Sequence, residues 1–156
     1  MPLPRTLLAA AALLAFALVS SPASAPARAT TNCNGKLVFS KPLKFKKKKV
    51  GELDVYWDAA TKKNCAVVFH AGPTWGKKLD TTIWLYRCAK GDREGGQCHS
   101  DVTHMHTQRG NFAYQAGRVT YKAAHRCVFA WGEIEVRHNK WADAMTGKFL
   151  TAHFCK

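Results

Sequence analysis

Serine is almost missing from this chain once the first 25 residues are set aside: only Ser40 and Ser100 occur. Neither lies in a Gly-x-Ser-x-Gly setting, which excludes a nucleophile-elbow hydrolase. Phosphate-cradling loops are missing too, because Gly95-Gly96 lacks a following helical pattern and a following lysine. Acids are scarce, with 10 Asp and Glu against 24 Lys and Arg, for a formal net charge of +14. Beyond the N-terminus no stretch keeps a helical period, no internal repeat occurs, and no apolar run is long enough to cross a membrane. No recognised nucleic-acid module is present either.

What is present begins with a processing signal. Arg5 supplies a positive start, residues 7–19 are apolar, and 20–25 end in Ala23-Ser24-Ala25, the small-x-small pattern that signal peptidase reads. An apolar run of about 13 residues falls short of the roughly 20 that a spanning helix needs, so export and cleavage are expected rather than anchoring. Residues 1–25 are therefore read as a signal peptide, with Ala27-Arg28-Ala29 offering a second cut after Ala29. Loss of Arg5 with that segment takes the formal charge from +14 to +13.

About 130 residues remain, enough for one domain with a modest core. Residues 26–49 read as an N-terminal arm and basic segment, with a short edge strand at Leu37-Val38-Phe39 that Pro42 would end. Residues 50–156 read as the β domain. Leu53, Val55 and Trp57 alternate along one strand, and Cys65, Val67 and Phe69 return along the next, which predicts a hairpin. Apolar groups on both faces of residues 81–89 predict a central strand. Within residues 110–133, three short strands are expected to fold back on one another, with Gln115-Ala116-Gly117 and Ala123-Ala124-His125 as turns. A helical turn is expected near residues 139–147, and a last strand over 149–154.

All six cysteines lie after residue 25, and an even count in an exported chain predicts three disulfides rather than a thiol enzyme or a metal site. Cys88 and Cys98 bracket what reads as a hairpin connection and are paired on that ground. Cys33, Cys65, Cys127 and Cys155 allow three pairings, among which spacing does not choose.

Four motifs come in an order that resembles a known family. They are Val50-Gly51-Glu52-Leu53-Asp54-Val55-Tyr56-Trp57, Asn64-Cys65-Ala66-Val67-Val68, Gly110-Asn111-Phe112-Ala113-Tyr114-Gln115-Ala116-Gly117 and Cys127-Val128-Phe129-Ala130-Trp131-Gly132. The series is similar to the small secreted actinobacterial proteins grouped with spore-associated protein A. Arg118 stands where that family usually has Pro, Ala130 interrupts its Val-x-Trp spacing, and the Cys88/Cys98 pair and the lysine run look like additions. The resemblance implies a secreted protein associated with a spore or cell surface, and it carries over no catalytic residues.

The densest charge is Lys41, Lys44, Lys46, Lys47, Lys48 and Lys49, a run expected to stay solvated and extended and to bind an anionic polymer by releasing counterions. His99, His104 and His106 are candidate Zn²⁺ or Cu²⁺ ligands, the last two on one strand face. An exposed polar strand face is the plainer reading of them, and no cofactor is expected. Glu133-x-Glu135 places two carboxylates on one strand face as in a glycosidase pair, although Arg137 offers them a role as ion partners. Trp57, Trp84 and Trp131 are assigned to the core, while Trp75 and Trp141 are placed in loops where an indole could stack on a sugar.

The expectation is an all-β, disulfide-stapled antiparallel sandwich or partly closed barrel of about seven or eight strands, monomeric and secreted. Its expected role is non-catalytic association with an anionic cell, spore or matrix surface. The alternatives are a small secreted hydrolase acting on an acidic polymer through His104, His106 and Glu133, or an inhibitor or interaction module presenting residues 90–97 to a partner.

Overall fold

The computed structural model describes residues 33–100 and 102–156. The expected signal peptide and residues 26–32 of the expected arm lie outside the described residues. Eight strands follow in order: β1 (Lys36–Phe45), β2 (Lys48–Asp58), β3 (Lys63–His70), β4 (Leu79–Arg87), β5 (Met105–Phe112), β6 (Gln115–Lys122), β7 (Val128–Arg137) and β8 (Lys140–Met145). They form two four-stranded antiparallel sheets, β1-β2-β3-β6 and β5-β4-β7-β8. The architecture is a β-sandwich.

Alternation along the strands builds the layers. Leu53 and Val55 of β2, Ala66 and Val68 of β3, Ile83 and Leu85 of β4, and Val128, Ala130 and Ile134 of β7 point inward and form one buried aliphatic cluster. The neighbours between them point outward, yet many are buried as well. Tyr56, Val67, Phe69 and the Cys33–Cys65 disulfide make a second cluster on the outward side of the first sheet. Phe129, Ala152 and the Cys88–Cys98 and Cys127–Cys155 disulfides make a third, where the C-terminal segment lies on the outward side of the second sheet. The expected Cys88–Cys98 bond is present, and the four remaining cysteines pair Cys33–Cys65 and Cys127–Cys155. In the chain-entropy model a loop of the length closed by Cys127–Cys155 is worth about 3.6 kcal/mol, which holds down a tail with little pairing of its own.

Several expectations are corrected. The segment assigned to an arm is not ahead of the domain, because β1 is the edge strand of the first sheet and forms one hairpin with β2. Pro42 does not end it, since an edge strand has one side on which a missing N–H costs no ladder bond. The stretch 110–133 does not fold back on itself within one sheet. β5 and β7 belong to the second sheet and β6 to the first, and the chain crosses over at Ala113-Tyr114. Gln115-Ala116-Gly117 lies within β6, where Gly117 takes a positive φ of 97° at a register shift against β3. The helical turn expected near 139–147 is instead β8, paired with β7. The tail makes only isolated bridges, Gln97 to Thr151 and Val128 to His153, in place of a last strand.

The tryptophans assigned to the core are not in it. Trp84 and Trp131 are half-buried cross-strand partners on the outward face of the second sheet, stacked with ring centroids 4.7 Å apart, and Trp57 is also only half-buried. Strand alternation was legible, but which face becomes the interior was not. The small inward residues decide it. A Cβ on Gly132 would lie 2.2 Å from Val68 Cγ2, and one on Gly51 would lie 2.6 Å from Ile134 Cδ1. At these two points the packing between the sheets leaves no room for a side chain, and the Trp84 and Trp131 rings lie on the opposite, outward face of the second sheet.

His70 closes one end of the sandwich. Its ring is buried, with Nδ1 3.2 Å from the Thr74 carbonyl and Nε2 2.8 Å from the Thr81 hydroxyl. A carbonyl can only accept, so Nδ1 carries the proton. In the neutral ring Nε2 is then an acceptor, and the single Thr81 hydroxyl proton is shared between it and the Leu79 carbonyl 3.0 Å away. Burial lowers the pKa of His70 below its ordinary 6.5, although the bond to Thr74 works the other way.

Two outcomes follow from this packing. Gly132→Ala should lower the unfolding free energy by about 1–3 kcal/mol, the usual cost of overpacking, in chemical denaturation; an unchanged midpoint would contradict the close approach. For His70, the unfolded chain takes up the proton first as pH falls, so its contribution is present above about pH 6.5 and is lost as pH drops through the lower folded value. His70→Gln should therefore flatten the fall in stability between pH 7 and pH 5, whereas an undiminished slope would count against a neutral buried ring.

Candidate functional site

The lysine run is brought to one place by the β1–β2 hairpin. Phe45 pairs with Lys48 and Lys44 with Lys49, leaving Lys46 and Lys47 as a two-residue turn. Both take positive φ, 47° and 67°. Two left-handed residues in succession are the mark of a type I′ turn, whose twist suits a hairpin and which is usually filled by Asn-Gly. Lys41, Lys44, Lys46, Lys47, Lys48 and Lys49 are all exposed, while Leu43 and Val50 beside them are buried and anchor the hairpin in the core.

Neutralisation at this end is slight. Lys49 Nζ lies 2.9 Å from Glu52 Oε2, and Lys41 Nζ reaches the Met145 carbonyl at 3.4 Å. Among the described residues Lys44, Lys46, Lys47 and Lys48 have no ion-pair partner. A groove of about 320 Å³ runs beside the turn, lined by Phe45, Lys46, Lys48, Lys77 and Arg137 together with apolar Val136. Lys77 and Arg137 are cations that charge-run reading missed, because they come from the loop before β4 and from the end of β7.

The acids are placed elsewhere. Asp80, Glu133, Glu135 and Asp143 share the outward face of the second sheet, where Thr82 stands between Arg109 and Glu133, and Glu133 stands opposite Asp143. Arg109 Nη2 is 2.6 Å from Asp80 Oδ2. Burial raises the pKa of Glu133, with Asp80 and Asp143 adding to the rise and Arg109 opposing it. Glu135 Oε1 accepts from the Asn139 amide at 2.6 Å and so holds the β7–β8 turn. The carboxylate pair legible in the sequence is thus on one face as expected, but one member is a structural acceptor.

The histidines do not converge. His104 belongs to a short 3₁₀ turn (Val102–His104), so it does not share a strand face with His106, because β5 begins at Met105. His99 and His104 line one cleft, whereas His106 stacks on Tyr121 at 4.3 Å and places Nδ1 2.6 Å from the Thr120 carbonyl. Among the described residues the one group of close metal-ligating atoms is Cys88, Asp92 and Cys98, and the disulfide occupies both sulfurs. Glu133 pairs with Thr82, four residues along β4 from the Tyr86 that pairs with Met105. That is roughly 13 Å of strand between the carboxylate and the histidine turn, so the three residues named for hydrolysis do not meet.

Residues 90–97 are held down on the domain. Glu94 accepts from the amides of Phe154 and Cys155 at 3.2 and 3.1 Å and from His153 Nδ1 at 3.0 Å. Burial opposes ionisation of Glu94, but these bonds outweigh it and its pKa is lowered. Asp92 behaves alike: burial opposes its charge, yet bonds from the His99 ring and amide, both at 2.7 Å, and from the Ala89 amide hold its pKa below the ordinary value. Trp75 packs edge-on against Tyr114 at 5.0 Å, and Trp141 lies on β8 opposite Glu135 rather than in a loop.

Compared with protein-family models, with curated proteins and with solved structures, the chain matches none.

Asp92→Ala should speed hydrogen exchange at the His99 amide by about tenfold or more, the scale of a lost charge-assisted bond, while exchange at β8 stays unchanged. Equal protection in both proteins would contradict the role given to that carboxylate.

Proposed function

We propose that this chain is an exported, non-catalytic protein that associates with an anionic polymer of a cell, spore or matrix surface through the tip of the β1–β2 hairpin. The observation that carries this reading is Lys46-Lys47 at the two left-handed positions of the turn. A left-handed backbone costs a residue with a Cβ about 1–2 kcal/mol, whereas Gly adopts it freely. Folding alone would favour Asn-Gly there, so the lysines are held at a cost to stability at an exposed tip where only Lys49 of the run meets a carboxylate among the described residues. Unfavourable backbone of this kind collects at functional sites.

Four exposed ammonium groups with no ion partner among the described residues, joined by Lys77 and Arg137 across the groove, form a surface that a flexible polyanion can neutralise while its counterions disperse. Three disulfides suit an oxidising compartment. Among the described residues no helix is long and apolar enough to cross a membrane. The signal pattern at residues 1–25 and the resemblance to the spore-associated protein A group favour export to a surface.

The double substitution Lys46→Asn with Lys47→Gly separates charge from fold. It should raise the unfolding free energy by about 1 kcal/mol and weaken binding to polyphosphate, measured by calorimetry, by at least about tenfold at roughly 1 kcal/mol per lysine. Binding that survives the substitution unchanged would overturn the proposal.

A further inference from the structure

Among the described residues, a second group of cations away from the hairpin lines a cleft of about 590 Å³ at the other end of the sandwich. Arg87 at the end of β4, Arg126 before β7, and Lys90, His99, Ser100 and His104 from the connection between β4 and β5 line it. Among the described residues no carboxylate lines the cleft, and Arg87, Lys90 and Arg126 enter no ion pair. Leu79 of β4 borders the groove at the hairpin tip and Arg87 borders this cleft. The eight strand steps between them place the two basic features roughly 26 Å apart.

The cations here are positioned rather than loose. Arg87 lays its guanidinium over the Tyr121 ring, 4.8 Å from the centroid, and its buried Nε has no hydrogen-bond partner among the described residues. Arg126 Nη1 donates to the Cys88 carbonyl at 3.3 Å, which fixes the fork and leaves further N–H donors free. The wall beside them is the buried Cys88–Cys98 disulfide, a low-dielectric surface that strengthens the field of the charges it borders. Asp92, the nearest described acid, is engaged by the His99 ring and by backbone amides.

We infer that this cleft is a second anion site, built for a single phosphoryl group rather than for a length of polymer. Two guanidinium groups and an ammonium line one cleft and suit the charge of phosphate, whose oxygens Arg can bind through paired N–H donors. The hairpin tip is an exposed edge that a chain can slide along. The cleft is open to solvent on one side and has a volume within the size range of small-ligand sites, with the Cys88–Cys98 disulfide in its wall. Such a site would take free phosphate or pyrophosphate, or the phosphorylated end of a polymer whose backbone is held elsewhere.

The test is a titration of the disulfide-intact protein with inorganic pyrophosphate and, separately, with a short glycerol-phosphate oligomer, followed by amide chemical shifts in a phosphate-free buffer. Saturable shifts at Arg87, Ala89, Lys90, His99 and Arg126 with either ligand support the site, and the ligand that saturates it at lower concentration identifies a free or polymer-borne source. Shifts confined to residues 44–49, or growing without saturation, would overturn it. Lys90→Gln combined with Arg126→Gln should weaken the saturable binding by at least about tenfold, while Lys46→Asn with Lys47→Gly should leave it unaltered. Wild-type affinity in the Lys90/Arg126 variant would also overturn the site. The shift map of the unsubstituted protein decides the question by itself if that variant fails to fold.

Discussion

Everything in this domain depends on how closely its two sheets approach. Gly132 faces Val68 and Gly51 faces Ile134 with no space for a Cβ at either point, and the interior is filled by aliphatic side chains of modest size. That distance determines where the aromatics can go. Trp84, Trp131 and Phe129 pack on the outward face of the second sheet, where Phe149 of the tail meets two of those rings edge-on at 6.0 Å. The disulfides then fasten the peripheral segments: Cys33 to β3, the long connection after β4 to itself, and the tail to the start of β7. A narrow core is supplemented by covalent closure at the edges, the usual remedy when a small domain has limited area to bury.

This frame separates the charges. Four acids share the outward face of the second sheet, and others cap turns, as Asp58 does by accepting from Ala60 and Thr61. Glu52 and the buried Asp54 stand on β2 of the first sheet. Lysines occupy the hairpin tip, and arginines border the cleft at the far end. Because strands are stiff and run the length of the sandwich, the two cationic regions stay apart and do not share counter-charges. A chain with 24 basic and 10 acidic residues cannot neutralise itself, and the strand directions decide where the surplus is presented.

Much of the fold was legible in the residues. The period-two patterns at Leu53-Val55 and Cys65-Val67-Phe69 gave the β2–β3 hairpin, apolar groups on both faces of residues 81–89 gave a central strand, observed as Leu79–Arg87, and the bracketing of a hairpin-like connection gave Cys88–Cys98. What was not legible depended on partners distant in sequence. Alternation names two faces of a strand without saying which turns inward, so Trp84 and Trp131 were assigned to the interior although they face outward. Proximity in sequence suggested that 110–133 forms one meander, whereas β6 pairs with β3, some fifty residues earlier. Of the site, the six lysines were visible as a run, but the I′ turn that makes Lys46-Lys47 unfavourable is a backbone property. The cleft was invisible, since Arg87, Lys90 and Arg126 belong to no motif and meet only after β4 and β7 pair.

The proposed function requires the lysine hairpin to act as an electrostatic contact with a polyanion. The most direct measurement is the affinity for a single-stranded or flexible polyanion across a series of salt concentrations. If all six lysines of the hairpin release counterions, log K should fall against log salt with a slope of about −4 to −5. A slope near zero would contradict the account, because binding that ignores salt would not be made by those ammonium groups.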